Sequence, residues 1–303
     1  MLNLLQVRAF VMVARELHFG RAAQKLNMTQ PPLSRQIALL EQHLGARLLD
    51  RNRQAVRLTA AGRSFLIEAE ELLLHSARVE RMLQRNLPDQ RGHLILGYYS
   101  GAVYRLLPLV VASARQRFPG IQLRLEEMTA RQTFQALDEG QIDLGLLRPV
   151  LVSESCIARS IYSEKLVVAL PFDHPLARRQ KIDLSLLRDE AFIMYRDDAP
   201  YMHKLLMAMF QRHSFIPNVV QSHTQAHAIL SLVSANLGVA LIPEDVRHAN
   251  YRNVVLRPLA SDDGILVEAH VVHLKRNQNP AMAPMLELLG DLKNNPELGQ
   301  DLI

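Results

Sequence analysis

Thr29-Gln30-Pro31-Pro32-Leu33-Ser34-Arg35-Gln36-Ile37 reads as the opening of a helix, and that reading decides how the first third of the chain is built. Thr29 stands where an N-cap is wanted, and Pro31 and Pro32 fall in a first turn, where a missing N–H costs little. The spacing predicts a helix over 31–44, stopped by Gly45, with Leu33, Ile37, Leu40 and Leu44 as its inward stripe. Gln30, Ser34, Arg35 and Gln42 are left facing out. Upstream, Leu4, Val7, Phe10, Val11 and Ala14 recur at helical spacing, and Arg21–Leu26 forms a short second helix after Gly20. Downstream, Leu48-Leu49 and Val56-Arg57-Leu58 flank a basic turn, Arg51-Asn52-Arg53-Gln54, which predicts a small hairpin, or wing.

From Thr59 another helix is predicted to about Leu87, with Pro88 ending it. Along it Phe65, Ala69, Leu72, Ser76, Val79 and Leu83 alternate at steps of four and three, nearly four heptads of a dimerisation seam. A helix packed on its own body would show the same spacing and stays open as the alternative. After Arg91 strands alternate with helices. Strands are read at His93–Tyr98, Ile121–Glu127, Ile142–Leu147, Lys165–Leu170, Phe192–Tyr195, Val219–His223 and Val239–Ile242. Helices are read at Tyr104–Arg117, Arg131–Asp138, 201–213 and 225–237. Alternation of this kind predicts a parallel sheet with helices on its faces.

Charge separates the same two parts. The 303 residues carry 35 Lys+Arg against 30 Asp+Glu, a net charge of +5. Residues 1–62 hold nine basic and three acidic side chains, whereas 91–303 hold 22 of each. A basic head on a balanced body points to a polyanion partner for the head. The hydrophobic fraction of 49% argues against disorder. With no uninterrupted run of about 18 apolar residues, no membrane span is expected. Met1-Leu2-Asn3-Leu4-Leu5 does not read as a secretory signal, so a cytoplasmic place is expected. The lone Cys156 can form no internal disulfide and reads as a buried or incidental thiol. His223 and His227 are four apart, but Thr224 stands where a zinc hydrolase motif needs glutamate, and no metal is expected. No phosphate-binding glycine loop, nucleophile elbow or other catalytic constellation is visible, so no enzyme and no cofactor are expected.

The ordered run Phe19, Ala22-Ala23, Leu26, Thr29 to Ser34, Gln36-Ile37, Leu40-Glu41, Leu44-Gly45, Leu48-Leu49, Arg51, Arg53 and Leu58 to Gly62 resembles the LysR-type transcriptional regulators. The resemblance continues more loosely through Ile142 to Gly145, His174 to Leu176 and Gly238 to Pro243, and the Pro31 to Ile37 version looks like the branch controlling aromatic catabolism. It implies an N-terminal all-α winged helix-turn-helix over 1–60, a linker and dimerisation helix over 61–88, and an α/β effector domain over 91–303. The effector domain would be two-lobed and shaped like a periplasmic binding protein, with lobe one at 91–162 and 268–303 and lobe two at 163–267. DNA contacts then fall to Thr29, Gln30, Pro31, Pro32, Ser34 and Arg35 on the recognition helix and to Arg51 and Arg53 on the wing. An amide suits adenine, a guanidinium suits guanine, and hydroxyls position the head on phosphate. Phe65, Ala69, Leu72, Val79 and Leu83 would pair two chains, dimers commonly joining into tetramers, on a partly palindromic DNA operator.

The resemblance also implies a small-molecule effector in the interlobe cleft, a carboxylate, with an aromatic or dicarboxylic acid as the expected class. Its candidate contacts are Tyr99, Ser100, Gly101, Ala102, Thr129, Ala130, Arg148, Met202 and His203. Gly101 and Ala130 stand where some relatives carry hydroxyls, with Ser100 and Thr129 one residue earlier, which puts a dicarboxylate of the muconate type in doubt. Arg148 reads equally as a partner for the effector or as half of an interlobe salt bridge. An exported solute-binding protein and an enzyme on the same body are the rival readings, and the basic head disfavours both.

Overall fold

The computed structural model describes residues 1–51, 56–85, 92–260 and 265–294. The chain divides into two units, Met1–Gln84 and Arg85–Ile303.

The first unit begins with α1 (Leu4–Glu16), α2 (Phe19–Lys25) and α3 (Gln30–Leu44). Asn3 caps α1 by accepting from the Leu5 N–H, and His18 Nδ1 caps α2 by accepting from Arg21. Thr29 holds the N-cap position of α3 without a side-chain bond, and Gly45 ends the helix at φ 64°. Val7, Phe10, Ala14, Leu33, Ile37 and Leu40 close the core, and Leu44 is only partly covered. A hairpin of β1 (Leu49–Arg51) and β2 (Val56–Leu58) follows, with Asp50 opposite Arg57. Arg53 lies outside the described residues, as does Pro88; for Arg51 only the backbone is described.

Then comes α4 (Ala60–Arg85). Thr59 caps it, accepting from the Gly62 N–H at 2.9 Å while donating to the Arg47 carbonyl at 2.7 Å. One expectation is corrected on this helix. Phe65, Ala69 and Leu72 do not present a continuous free seam: Ala69 is buried in the head's own core, Leu72 packs against it, and the Phe65 ring lies 5.3 Å from that of Phe10. Among the described side chains of α4, Ile67, Leu74 and Val79 are the large apolar ones that are exposed. The side chain of Leu83 lies outside the described residues.

The second unit opens with β3 (His93–Tyr98), α5 (Leu106–Arg117), β4 (Gln122–Glu127), α6 (Ala130–Asp138) and β5 (Leu144–Leu147). A single 3₁₀ turn over Ser100–Tyr104 separates β3 from α5. The chain then crosses on β6 (Cys156–Glu164) into a second lobe. That lobe contains β7 (Leu166–Pro171), β8 (Ala191–Tyr195), α7 (Pro200–Arg212), β9 (Asn218–His223), α8 (Ala226–Ser234), β10 (Ala240–Pro243) and β11 (Val254–Pro258). It returns on β12 (Val267–Leu274) to α9 (Met282–Asn294). The first sheet has the order β4-β3-β5-β12-β6; the second lobe carries β10-β7-β11 and the pair β8-β9.

The expectation of a parallel sheet is corrected here. β3 runs parallel to β4 and β5, but β12 pairs antiparallel with both β5 and β6, and β7 is antiparallel to both its neighbours. The two strands that carry the chain between lobes travel in opposite directions, so their pairing is necessarily antiparallel. Cys156 is buried among Leu147, Val272 and Leu274.

Candidate functional site

Two surfaces combine exposed or clustered polar chemistry with a rigid support. On α3 the faces divide cleanly: Leu33, Ile37 and Leu40 are fully buried, while Thr29, Gln30, Pro31, Pro32 and Arg35 are exposed and Ser34 is half-buried. The helix is held at its other end by Glu41, whose Oε1 accepts from the Leu48 and Leu49 N–H groups at 2.9 and 3.0 Å. That carboxylate fixes where the hairpin leaves α3. The sequence offered a signal for it, a lone acid on a basic stretch four residues before the helix stop.

The second surface is a cleft of about 610 Å³ between the two lobes of the second unit. Tyr99, Ser100, Gly101, Thr129, Ala130, Arg148 and Met202 line it, as expected. Two expected residues do not. Ala102 is buried in the first lobe's core, because the 3₁₀ turn rotates it inward. His203 sits one position past the cleft-facing side of α7 and donates its Nδ1–H to the Tyr195 carbonyl at 2.7 Å.

Three of the predicted polar contacts, Ser100, Thr129 and Arg148, are already engaged. Ser100 donates across the cleft to the Gln225 side chain at the start of α8. The Thr129 hydroxyl is used in a capping box with Gln132, accepting its N–H and donating to its Oε1. Arg148 lies 4.7 Å over the Tyr99 ring, donates to the Glu268 carbonyl at 3.0 Å, and pairs with Glu164 at 2.9 Å. Both charged side chains of that pair are largely buried, at 14% and 4% exposure. Burial works to discharge Arg148, but Tyr99 and Glu164 outweigh it and hold the guanidinium charged. Burial also pushes the Tyr99 phenol up to about 12.

Glu164, at the end of the crossing strand, spends its second oxygen on the Asp245 N–H at 2.8 Å, and Asp245 in turn accepts from the Tyr162 hydroxyl at 2.9 Å. Arg148 is therefore half of a buried pair at the crossing point. Tyr201 accepts from the Glu268 N–H at 2.9 Å, which ties α7 to β12. Pro200 and Tyr201, which the sequence places with Met202 at the start of a cleft-facing helix, also line it, whereas Glu164, Tyr195 and Gln225 do so without having been named as contacts from sequence. His223 ends β9 while His227 lies in α8. Among the described residues no group of three or more His, Cys, Asp or Glu is placed to hold a metal ion.

Comparison with known proteins adds to this geometry. Residues 4–63 match the model described as bacterial regulatory helix-turn-helix protein, lysR family, and residues 88–293 match the LysR substrate binding domain. The chain is 33% identical to the HTH-type transcriptional regulator AlsR of Bacillus subtilis, covering 95% of each. It is 35% identical to the Hca operon transcriptional activator HcaR of Escherichia coli, covering 86% of this chain and 88% of that one. Among solved structures, full-length CbnR in complex with its target DNA superposes with a TM-score of 0.71 at 25% identity, covering 95% and 99% of the two chains.

Proposed function

The chain belongs to the LysR family of transcriptional regulators, a DNA-binding regulator with a helix-turn-helix head and an effector-binding body and not an enzyme, and from that premise we propose how its own residues carry the work. The domains are 1–60 for the winged head, 61–88 for the linker helix and 91–303 for the effector domain. Helix α3 enters the major groove with Gln30 and Arg35 toward base edges and Thr29 and Ser34 toward phosphate. The prolines at 31 and 32 fix the start of that helix, and Arg51 and Arg53 follow the backbone from the wing. Two chains pair through α4 on a partly palindromic operator, with tetramers as the further assembly.

The cleft takes a small-molecule effector, which shifts the assembly by binding one arrangement of the lobes better than another. The reading of an aromatic-catabolism regulator draws support from the Pro31 to Ile37 pattern. Among the described residues no helix is long and apolar enough to cross a membrane, and a DNA partner favours the cytoplasm.

One observation carries the DNA reading: α3 has a fully buried apolar face and, opposite it, an exposed face of amide, proline and guanidinium. The test is Arg35→Ala, measured on the operator and on its single-position variants. The expected loss is about 1–3 kcal/mol of discrimination at one base pair, as for a forked guanine contact. Equal losses on operator and random DNA would reassign Arg35 to phosphate.

A further inference from the structure

The charges that line the cleft are three carboxylates, Glu127, Glu164 and Asp198, against two guanidiniums, Arg148 and Arg196. Neither guanidinium is unpaired. Arg148 is bound by Glu164 and by the Glu268 carbonyl. Arg196 is clamped by Asp198 through two of its nitrogens.

The helix ends that could greet an anion differ in what they leave open. α6 closes its own first turn with the Thr129–Gln132 capping box. α7 begins at Pro200, which has no N–H to offer. α7 at Ala199 and α8 at Gln225 both start without a side-chain cap, but the α7 start carries the Asp198 carboxylate one residue before its N-cap. A helix start of this kind carries roughly half a positive charge. Much of the remaining wall is apolar, including Met128, Leu147, Pro149, Val150 and Met202.

We infer that the effector of this chain carries at most one negative charge on an otherwise apolar body, and that a dicarboxylate is excluded. The inference rests on the cleft being the effector site. An anion leaving water must find new partners or lose its hydration uncompensated. Here a first carboxylate can take the uncapped start of α8. A second would face Glu127 and Asp198 with no unpaired cation.

The test uses the full chain and three probes on one ring: benzyl alcohol, benzoate and phthalate, followed by thermal shift and calorimetric titration. The expected result is binding of the neutral or singly charged probe at least tenfold tighter than phthalate. Asp198→Asn, an exposed position whose change releases Arg196, should narrow that gap severalfold. Phthalate bound as tightly as benzoate, with binding lost in Ser100→Ala, would overturn the charge inference while leaving the cleft as the site. Silence from all three probes would overturn it too. Probe binding that is indifferent to both Ser100→Ala and Gln225→Ala would instead remove the cleft from the reading.

Discussion

A methyl group added at Gly62 would lie 2.0 Å from the Leu48 carbonyl oxygen, a backbone atom that has no rotamer to yield. Thr59 sets up this approach by binding Arg47 and Leu48 carbonyls with the same hydroxyl that caps α4. The glycine in Leu58-Thr59-Ala60-Ala61-Gly62 is thus demanded by the path of the hairpin rather than by φ. Gly45 is the contrasting case, with φ at +64° and nothing within 4 Å of an added Cβ. Gly62→Ala is therefore expected to cost the head about 2–3 kcal/mol through overpacking. Gly45→Ala should cost only about 1–2 kcal/mol, the left-handed penalty. Chemical denaturation of the head in each variant measures the order, and a Gly62→Ala loss smaller than that of Gly45→Ala would sink the account. Sequence alone marks both positions as glycine but not which constraint each answers to, because the Leu48 carbonyl is fourteen residues away from Gly62.

Helix α4 carries apolar residues on two faces. Phe65, Leu66, Ala69, Leu72 and Leu73 pack on the head's core, and Ile67, Leu74 and Val79 stay exposed. The two faces predict separable effects. Phe65→Ala should lower the head's stability by about 2–3 kcal/mol, below the range for a fully buried phenylalanine. Ile67→Asp combined with Leu74→Asp should leave that stability within about 0.5 kcal/mol, as surface changes do, and convert the paired chain to monomer in sedimentation. An unchanged sedimentation coefficient would remove this face from the pairing surface.

Heptad spacing was legible at this helix, but spacing reports stripes and not what covers them; only the docking of Phe65 on Phe10 decides that. The body shows the same limit. Period and turn chemistry located β3, β4, α6 and α7 to within a residue or two. The direction of β12 depends on where the chain must return, and that is not written locally.

The chain crosses between the two lobes of the second unit on β6 and β12, and the crossing is secured by groups far apart in sequence: Glu164 with Arg148 and Asp245, Tyr162 with Asp245, and Tyr201 with Glu268. Sequence marks Arg148 as half of an interlobe salt bridge, but no pattern announces its partners in this network, each an ordinary residue until the lobes meet. It has a consequence for stability. Burial pushes the carboxyls of both Glu164 and Asp245 above their ordinary range, against the pull of Arg148 on the one and of Tyr162 on the other. A raised carboxyl binds its proton more tightly in the folded chain than in the unfolded one. Its stabilising contribution is complete below the ordinary carboxylate range and is lost as pH rises through the raised value. Asp183 and Glu268 are lowered by hydrogen bonds from Ser185 and His270 and work the other way, losing their contribution as pH falls. The whole-chain profile mixes the two signs, so the informative quantity is a difference. Asp245→Asn keeps an oxygen to accept from Tyr162 but cannot ionise. Relative to this variant, the unaltered chain should lose stability in urea denaturation of the body as pH is raised from about 4 toward 8. The carboxyls that are lowered cancel in the comparison, being present in both proteins. A difference that stays flat over that interval would mean that Asp245 keeps its ordinary protonation at the crossing, and that the lobes are not held together by a buried acid.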